Sequence, residues 1–160
     1  MGTLYVLRHA KSSWDDPELA DHDRPLAPRG RRNAEALAAH VSREGIAPEL
    51  VLCSTALRAR ETLAILLPAL EGEAEIRLED GLYGAATEQL LVRLRAVTED
   101  AGSVLLVGHN PGLEALVSRL ARDDAPDRLP TAALVTIDTR GSWARIGESR
   151  CRVVSTTIPR

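Results

Sequence analysis

Short, unbroken apolar runs alternate along this chain with stretches whose apolar positions recur every three or four residues. Unbroken runs of four or five suit strands covered on both faces, and the three-to-four spacing suits helices packed by one side. Residues 4–7 form the first run. Pro28 suits the first position of a helix. Ala34, Leu37, Ala38 and Val41 then follow at helical spacing, and Gly45 closes the segment, which predicts a helix over 28–44. Residues 50–53 are a second strand. Thr55 reads as the N-cap of a helix reaching about Leu67 and stopped by Pro68. Residues 74–78 predict a short third strand, and Thr87 caps a helix carrying Leu90, Leu91, Leu94 and Val97. Residues 104–107 are the clearest strand. Pro111 then opens a helix with Leu113, Leu116, Val117 and Leu120 on one side. Residues 133–137 are the next strand, Arg140-Gly141 is a turn into 143–146, and 152–158 is a last strand, so the tail reads as a hairpin at a sheet edge. The alternation predicts one three-layer α/β domain over residues 1–160, with a mainly parallel central sheet, helices on both faces and an antiparallel edge hairpin near the C-terminus. The polar loop 122–127 reads as a surface excursion.

Composition narrows the function classes. Of 160 residues, 44% are apolar but only 2% aromatic, and none is Phe, so the core must be built from Leu, Val, Ile and Ala. With 20 Lys and Arg against 23 Asp and Glu, the net charge of −3 lacks the broad positive field of a nucleic-acid binder, and few aromatics means few platforms for stacking bases. No apolar run approaches the ~20 residues of a membrane helix. No charged n-region precedes the first strand, so no signal peptide is expected. Cys53 and Cys151 fit no zinc or redox spacing and read as buried, reduced thiols. These features predict a cytoplasmic protein without membrane or nucleic-acid partners. The lack of Phe and of an apolar surface stripe points to a monomer.

Ligands of open α/β sheets bind beyond the carboxyl ends of the strands. The first strand runs into Arg8-His9-Ala10-Lys11-Ser12. The second runs into Ser54-Thr55, with Arg58 in the next helical turn, and the 104–107 strand runs into Gly108-His109-Asn110-Pro111-Gly112. A cation in a first helical turn opposes the helix dipole. An anion bound at that helix start removes the conflict, because backbone N–H groups and guanidinium then serve one charge. Arg8, His9, Arg58 and His109 together predict a pocket for a phosphate-type oxyanion. Gly108 and Gly112 would let backbone approach the ligand, and Pro111 would aim the following N–H groups toward His109. Two histidines could also serve a metal, but no His-Glu-x-x-His or Cys-x-x-Cys spacing exists and two arginines would repel a cation, so no metal is expected. No nucleotide-cradling glycine loop and no Gly-x-Ser-x-Gly elbow occurs. His22 and His40 read as exposed, without a role. Arg24, Arg29, Arg31 and Arg32 read as a solvated helix start, or as a rim that meets an acidic or phosphorylated partner.

These motifs resemble those of the histidine phosphatase superfamily, which also holds the phosphoglycerate mutases. The Arg-His-Gly triplet of that family is similar to Leu7-Arg8-His9-Ala10, with Ala in place of Gly. The second arginine motif resembles residues 53–62, and the second histidine motif resembles residues 107–112. The resemblance runs from about residue 4 to residue 137. Within the superfamily the chain resembles the small bacterial phosphohistidine phosphatases of the SixA type, through its length, residues 8–16, Asp23-Arg24-Pro25-Leu26 with Arg29-Gly30, and the absence of a long insertion between 78 and 87.

The resemblance implies that His9 is the nucleophile and forms a phosphohistidine intermediate that water hydrolyses. Arg8, Arg58 and His109 would bind and stabilise the phosphoryl group, with Asn110 among the phosphate-binding residues, and no metal or cofactor would be needed. The proton donor of many members, a Glu shortly before Tyr-Gly, corresponds to Asp80, with Glu79 beside it. Asp15 stands where the family often has an Asn touching the phosphate. The expected substrate is phosphate-bearing, a phosphohistidine in a protein. The alternatives are a small-molecule phosphomonoesterase and a non-catalytic module that binds phosphate or a partner.

Overall fold

The apolar runs of the sequence lie side by side in one six-stranded sheet. The structure, a computed structural model, describes residues 2–159. In chain order the elements are β1 (Thr3–Arg8), α1 (Pro28–Glu44), β2 (Leu50–Ser54), α2 (Leu57–Leu66), β3 (Glu75–Glu79), α3 (Thr87–Arg95), β4 (Ser103–Gly108), α4 (Gly112–Ala121), β5 (Leu134–Asp138) and β6 (Arg152–Thr157). The strand order is β3-β2-β4-β1-β5-β6. The first four of these are parallel, and β5 and β6 run antiparallel at one edge, as the pattern predicts.

Alternate strand residues feed two separate cores. Leu4, Val6, Leu52 and Leu106 point to the face covered by α3 and α4, where Leu91, Leu94, Leu116 and Leu120 pack. Leu7, Val51, Cys53, Leu105 and Val107 point to the face covered by α1 and α2, with Leu37, Val41, Leu63 and Leu66. Burial on both faces is why these strands read as unbroken apolar runs. At the edges the pattern fades, and β3 is exposed along most of its length.

Gly45 closes α1 in the left-handed conformation, with φ of 65°. Gly30 is required for a different reason. A Cβ there would stand 2.1 Å from the Lys11 carbonyl, so only glycine lets α1 lie against the loop that follows β1.

Several boundaries differ from the sequence expectation. Thr55 does not cap α2. The helix begins at Leu57, and the Thr55 hydroxyl donates instead to Asp80 Oδ1 at 2.6 Å. Thr87 is the first helical residue of α3 and not its cap; the preceding Ala86 N–H donates to Gln89 Oε1. Val97 lies beyond that helix but is buried with it. Residues 143–145 form a 3-10 turn in which Trp143 is buried and its indole N–H donates to the Ala101 carbonyl. Among the described residues no helix is long and apolar enough to cross a membrane.

Candidate active site

The carboxyl ends of β1, β4 and β2 are neighbours, because those strands are adjacent and parallel. Arg8 pairs with Gly108 across the ladder, and the His9 N–H donates to the Gly108 carbonyl at 3.1 Å. Two histidines one residue past paired strand ends must therefore meet. Their ring centroids are 5.1 Å apart, tilted by 53°.

His9 is buried, at 7% exposure. Its Nδ1–H donates to the Ala10 carbonyl at 2.7 Å, since a carbonyl can only accept. That bond fixes the tautomer and leaves the Nε2 lone pair uncommitted. Burial pushes its pKa down to about 3, and His109, Arg58 and Arg8 push in the same direction against the Ala10 bond. The Ala10 N–H donates to Thr62 Oγ1, whose hydroxyl donates back to the Arg58 carbonyl, so the loop carrying His9 is tied to α2.

His109 is held from β2. Its Nε2 lies 2.7 Å from Ser54 Oγ, which also accepts the Ala56 N–H. Burial lowers its pKa to about 4, and Arg58 and Arg8 add to this while Asp21 opposes it. Arg58 projects from the first turn of α2 and is itself buried. It donates through one terminal nitrogen to the Asp21 carbonyl at 2.7 Å and through the other to Asp21 Oδ2 at 2.9 Å. Arg8 donates to the Leu129 carbonyl at 3.1 Å. Its pKa is lowered chiefly by burial.

Among the described residues two buried side-chain polar atoms have no hydrogen-bond partner, Arg8 Nε and His109 Nδ1. Folded chains pair such atoms almost everywhere. Both orphans belong to the four residues that the sequence brings forward, so the unsatisfied polarity of the molecule is concentrated where an anion is expected.

The sequence reading missed the group that organises this cluster. Asp21 sits in a 3-10 turn over 21–23. Its carboxylate accepts from Arg24 at 2.8 Å, from Arg58, and from the Tyr83 hydroxyl at 2.6 Å. The Tyr83, Arg24 and Arg58 bonds hold it well below the usual carboxylate range, and the same bond to Asp21 raises the Tyr83 pKa. The Tyr83 ring packs edge-on against His109 and His22. The only local signal was the i,i+3 spacing of Asp21 and Arg24; the partner Arg58 is 37 positions away. Ser54 and His22 were missed for the same reason.

Other expectations need correction. Asn110 does not offer its side chain to the pocket: its amide N–H groups go to the Leu129 carbonyl and Glu114 Oε2, and its Oδ1 accepts from the Glu114 N–H. Gly112 accommodates protein and not ligand, because a Cβ there would stand 2.3 Å from the Ala85 carbonyl; at Gly108 a Cβ would make ordinary contact with Leu113. Pro111 precedes α4, but the Leu113 and Glu114 N–H groups are already bound to His109 and Asn110. His22 is half-buried, its Nε2 lying 2.9 Å from Thr55 Oγ1, and His40 is half-buried with Nε2 3.1 Å from Thr157 Oγ1. Arg24 is no rim cation. It is buried, bonded to Ser12, Ser13 and Asp21, and stacked 3.3 Å from the ring centre of the exposed Trp14. Asp80 is exposed and accepts from Thr55, while Glu79 is taken by a two-pronged pair with Arg93. Asp15 is exposed, and its N–H donates to Ser13 Oγ. Cys53 and Cys151 are free and buried, as expected.

With this geometry established, the chain can be set beside known proteins. The family model described as histidine phosphatase superfamily (branch 1) matches residues 4–86. An uncharacterised protein of Mycobacterium tuberculosis is 36% identical over 163 residues, covering 96% of this chain and all of its own. The phosphohistidine phosphatase SixA of Escherichia coli is 28% identical over 143 residues, 87% of this chain and 88% of its own. A solved structure from Agrobacterium tumefaciens, provisionally named as a phosphohistidine phosphatase SixA, is 34% identical with a TM-score of 0.86 and covers 99% of this chain and 98% of its own. The protein histidine phosphatase SixA solved with tungstate superposes with a TM-score of 0.83 at 23% identity, over 98% of this chain and 97% of its own, and shares the fold.

Proposed function

Because this chain belongs to the histidine phosphatase superfamily, we propose that it is a metal-independent phosphatase that works through a phosphohistidine on His9 and acts on a phosphohistidine carried by a protein. The observation that carries the reading is the state of His9. Its Nδ1–H is spent on the Ala10 carbonyl, and burial, with neighbouring Arg58 and Arg8 adding to it, disfavours a second proton, so Nε2 presents a lone pair at neutral pH.

Attack by Nε2 forms the N–P bond as the bond from phosphorus to the leaving group breaks. Arg8 and Arg58 face the charge on the equatorial oxygens. With Ser54 Oγ as the donor to His109 Nε2, the ring hydrogen sits on the orphaned Nδ1 and serves as a donor to phosphoryl oxygen. Water then attacks phosphorus, releases phosphate and returns the lone pair to His9. In this scheme Arg8 and Arg58 supply the positive charge that a metal supplies elsewhere, and His109 adds a neutral donor.

Two features support a phosphoramidate over an alkyl phosphate ester. Glu79 is locked to Arg93, and Asp80 is exposed and bound to Thr55, which makes Asp80 a weak acid catalyst. An imidazole leaving group needs less help than an alkoxide. A protein-borne substrate is supported by the short connection of residues 80–86 between β3 and α3, in which Tyr83 packs against His109 and no long segment is inserted. Escherichia coli SixA and tungstate-bound SixA carry names that fit this chemistry, tungstate being a phosphate-like oxyanion. Two buried thiols outside any disulfide fit a reducing cytoplasm.

The test compares phosphate release from a phosphohistidine-bearing carrier protein with release from simple phosphate esters, with a chelator present. Activity that survives chelation, favours the carrier and vanishes in His9→Ala is the expected result. Loss of activity on chelation, or better turnover of sugar phosphates, would overturn it.

A further inference from the structure

The catalytic cup has an annex. Beside Arg8 lies a cavity of about 380 Å³ whose wall includes Arg8, Lys11, Arg29, Arg128 and Glu114. These cations arrive from three separate places: the end of β1 with the loop that follows it, the start of α1 and the loop before β5. Four cations thus face one carboxylate, in a chain whose net charge is −3. The carboxylate is already engaged, as Glu114 Oε2 accepts the Leu129 N–H at 2.8 Å and an Asn110 amide N–H. Among the described residues Lys11, Arg29 and Arg128 form no ion pair, although Arg31, two positions from Arg29, is paired with Glu61.

Like charges gathered round one cavity repel unless something negative is bound there. The backbone is built to hold them close. Gly30 lets α1 press on the Lys11 carbonyl, which also accepts the Ala27 N–H, and this brings Arg29 to the same wall as Lys11. Arg8 is shared between cup and annex, and its Nε is one of the two orphaned polar atoms.

We propose that the annex binds a second anionic group on the same substrate, the carboxylate of an acidic side chain flanking the phosphohistidine. The inference rests on the phosphatase reading above and adds a selection rule to it: the protein acts best on a phosphohistidine with an acidic neighbour. Lys11, Arg29 and Arg128 have no part in the reaction scheme above, so their effect falls on KM and leaves kcat for a substrate without the second anion unchanged.

The experiment uses the full chain, wild type and the exposed-site double variant Arg29→Ala/Arg128→Ala, with three probes: phosphoramidate, and two phosphohistidine peptides that differ only in Glu or Gln beside the phosphohistidine. Wild type should turn over the Glu peptide with kcat/KM about tenfold above the Gln peptide, through KM. The double variant should lose that preference and keep its phosphoramidate turnover. A wild type that hydrolyses phosphoramidate but treats both peptides alike overturns the annex and leaves the phosphatase reading standing, as does a preference that persists in the double variant. A wild type inactive on phosphoramidate and both peptides overturns both. A fourth probe, phosphonoacetate as inhibitor, distinguishes a small-molecule source: if the double variant weakens its inhibition tenfold with the peptides unaffected, the second anion belongs to a metabolite and the proposal for a protein flank falls.

Discussion

Asp21 stands in the cationic cup with its carboxylate between Arg24, Arg58 and Tyr83, and replacing it with Ala separates two effects that oppose each other. The first is on stability. Three side-chain hydrogen bonds are lost, and the two arginines left behind are 7% and 9% exposed while the Asp21 side chain is 47% exposed. Breaking a buried pair costs about 3–5 kcal/mol. Half-exposure of the carboxylate lets water take over part of its role, which brings the loss to about 2 kcal/mol. For a chain of this size that is a fall in Tm of about 4–8 °C.

The second effect is on anion binding. In the free protein Asp21 occupies Arg58, and a phosphoryl dianion must approach against its charge. Removing that charge should be worth about 1 kcal/mol to an oxyanion, or roughly fivefold in Kd. Thermal unfolding with and without tungstate reads both effects at once. Asp21→Ala should melt lower than wild type and recover more on adding tungstate, because the oxyanion supplies the acceptor that Arg58 has lost. Asp21→Asn keeps an acceptor without the charge, so it should melt closer to wild type and still bind tungstate more tightly. A Tm unchanged within 1 °C in Asp21→Ala, or weaker tungstate binding in both variants, would refute this account of the cup.

The buried imidazoles make stability fall in mild acid. Unfolded histidine takes up a proton near pH 6.5, whereas His9 and His109 resist it down to about 3 and 4, so the unfolded chain binds more protons between those limits. Stability from this source is complete above about pH 6.5 and declines as pH drops, by about 2 kcal/mol per histidine at pH 5. Urea titrations at pH 7 and pH 5 should show a smaller loss in His9→Gln than in wild type by that amount; equal losses would contradict the His9 assignment. Gly30→Ala drives a methyl group to 2.1 Å from the Lys11 carbonyl and should cost about 2–3 kcal/mol of stability, with reduced turnover because His9 lies two residues upstream. Ser54→Ala removes the partner of His109 Nε2 and should lower kcat about tenfold with a Tm within a few degrees of wild type; unchanged kcat would mean that the serine does not set the His109 tautomer.

What could be read from the sequence, and what could not, follows from the range of the interactions. Strands β1, β2 and β4 are buried on both faces, so their apolar runs announce them, and the residues just past their ends are fixed by topology once the strands are adjacent. His9, His109 and Arg58 were legible on that basis. Asp21 was not, because nothing in a polar loop says that its carboxylate will reach Arg58, and a buried Arg24 looks in sequence like any other arginine near a helix start. The annex was half-legible: Arg29 stood out as one of a basic cluster, but only the fold divides that cluster, sending Arg24 inward to Asp21, Arg31 to Glu61 and Arg29 to the cavity beside Arg8. The same division explains how one mildly acidic chain can present a strongly cationic site. Asp21 pairs with the buried Arg24 and Arg58 and Glu79 with Arg93, whereas Lys11, Arg29 and Arg128 form no ion pair among the described residues and share one cavity wall with Arg8 and Glu114. Attraction of an anion by Lys11, Arg29 and Arg128 and restraint of Arg58 by Asp21 thus come from different residues and can be changed independently.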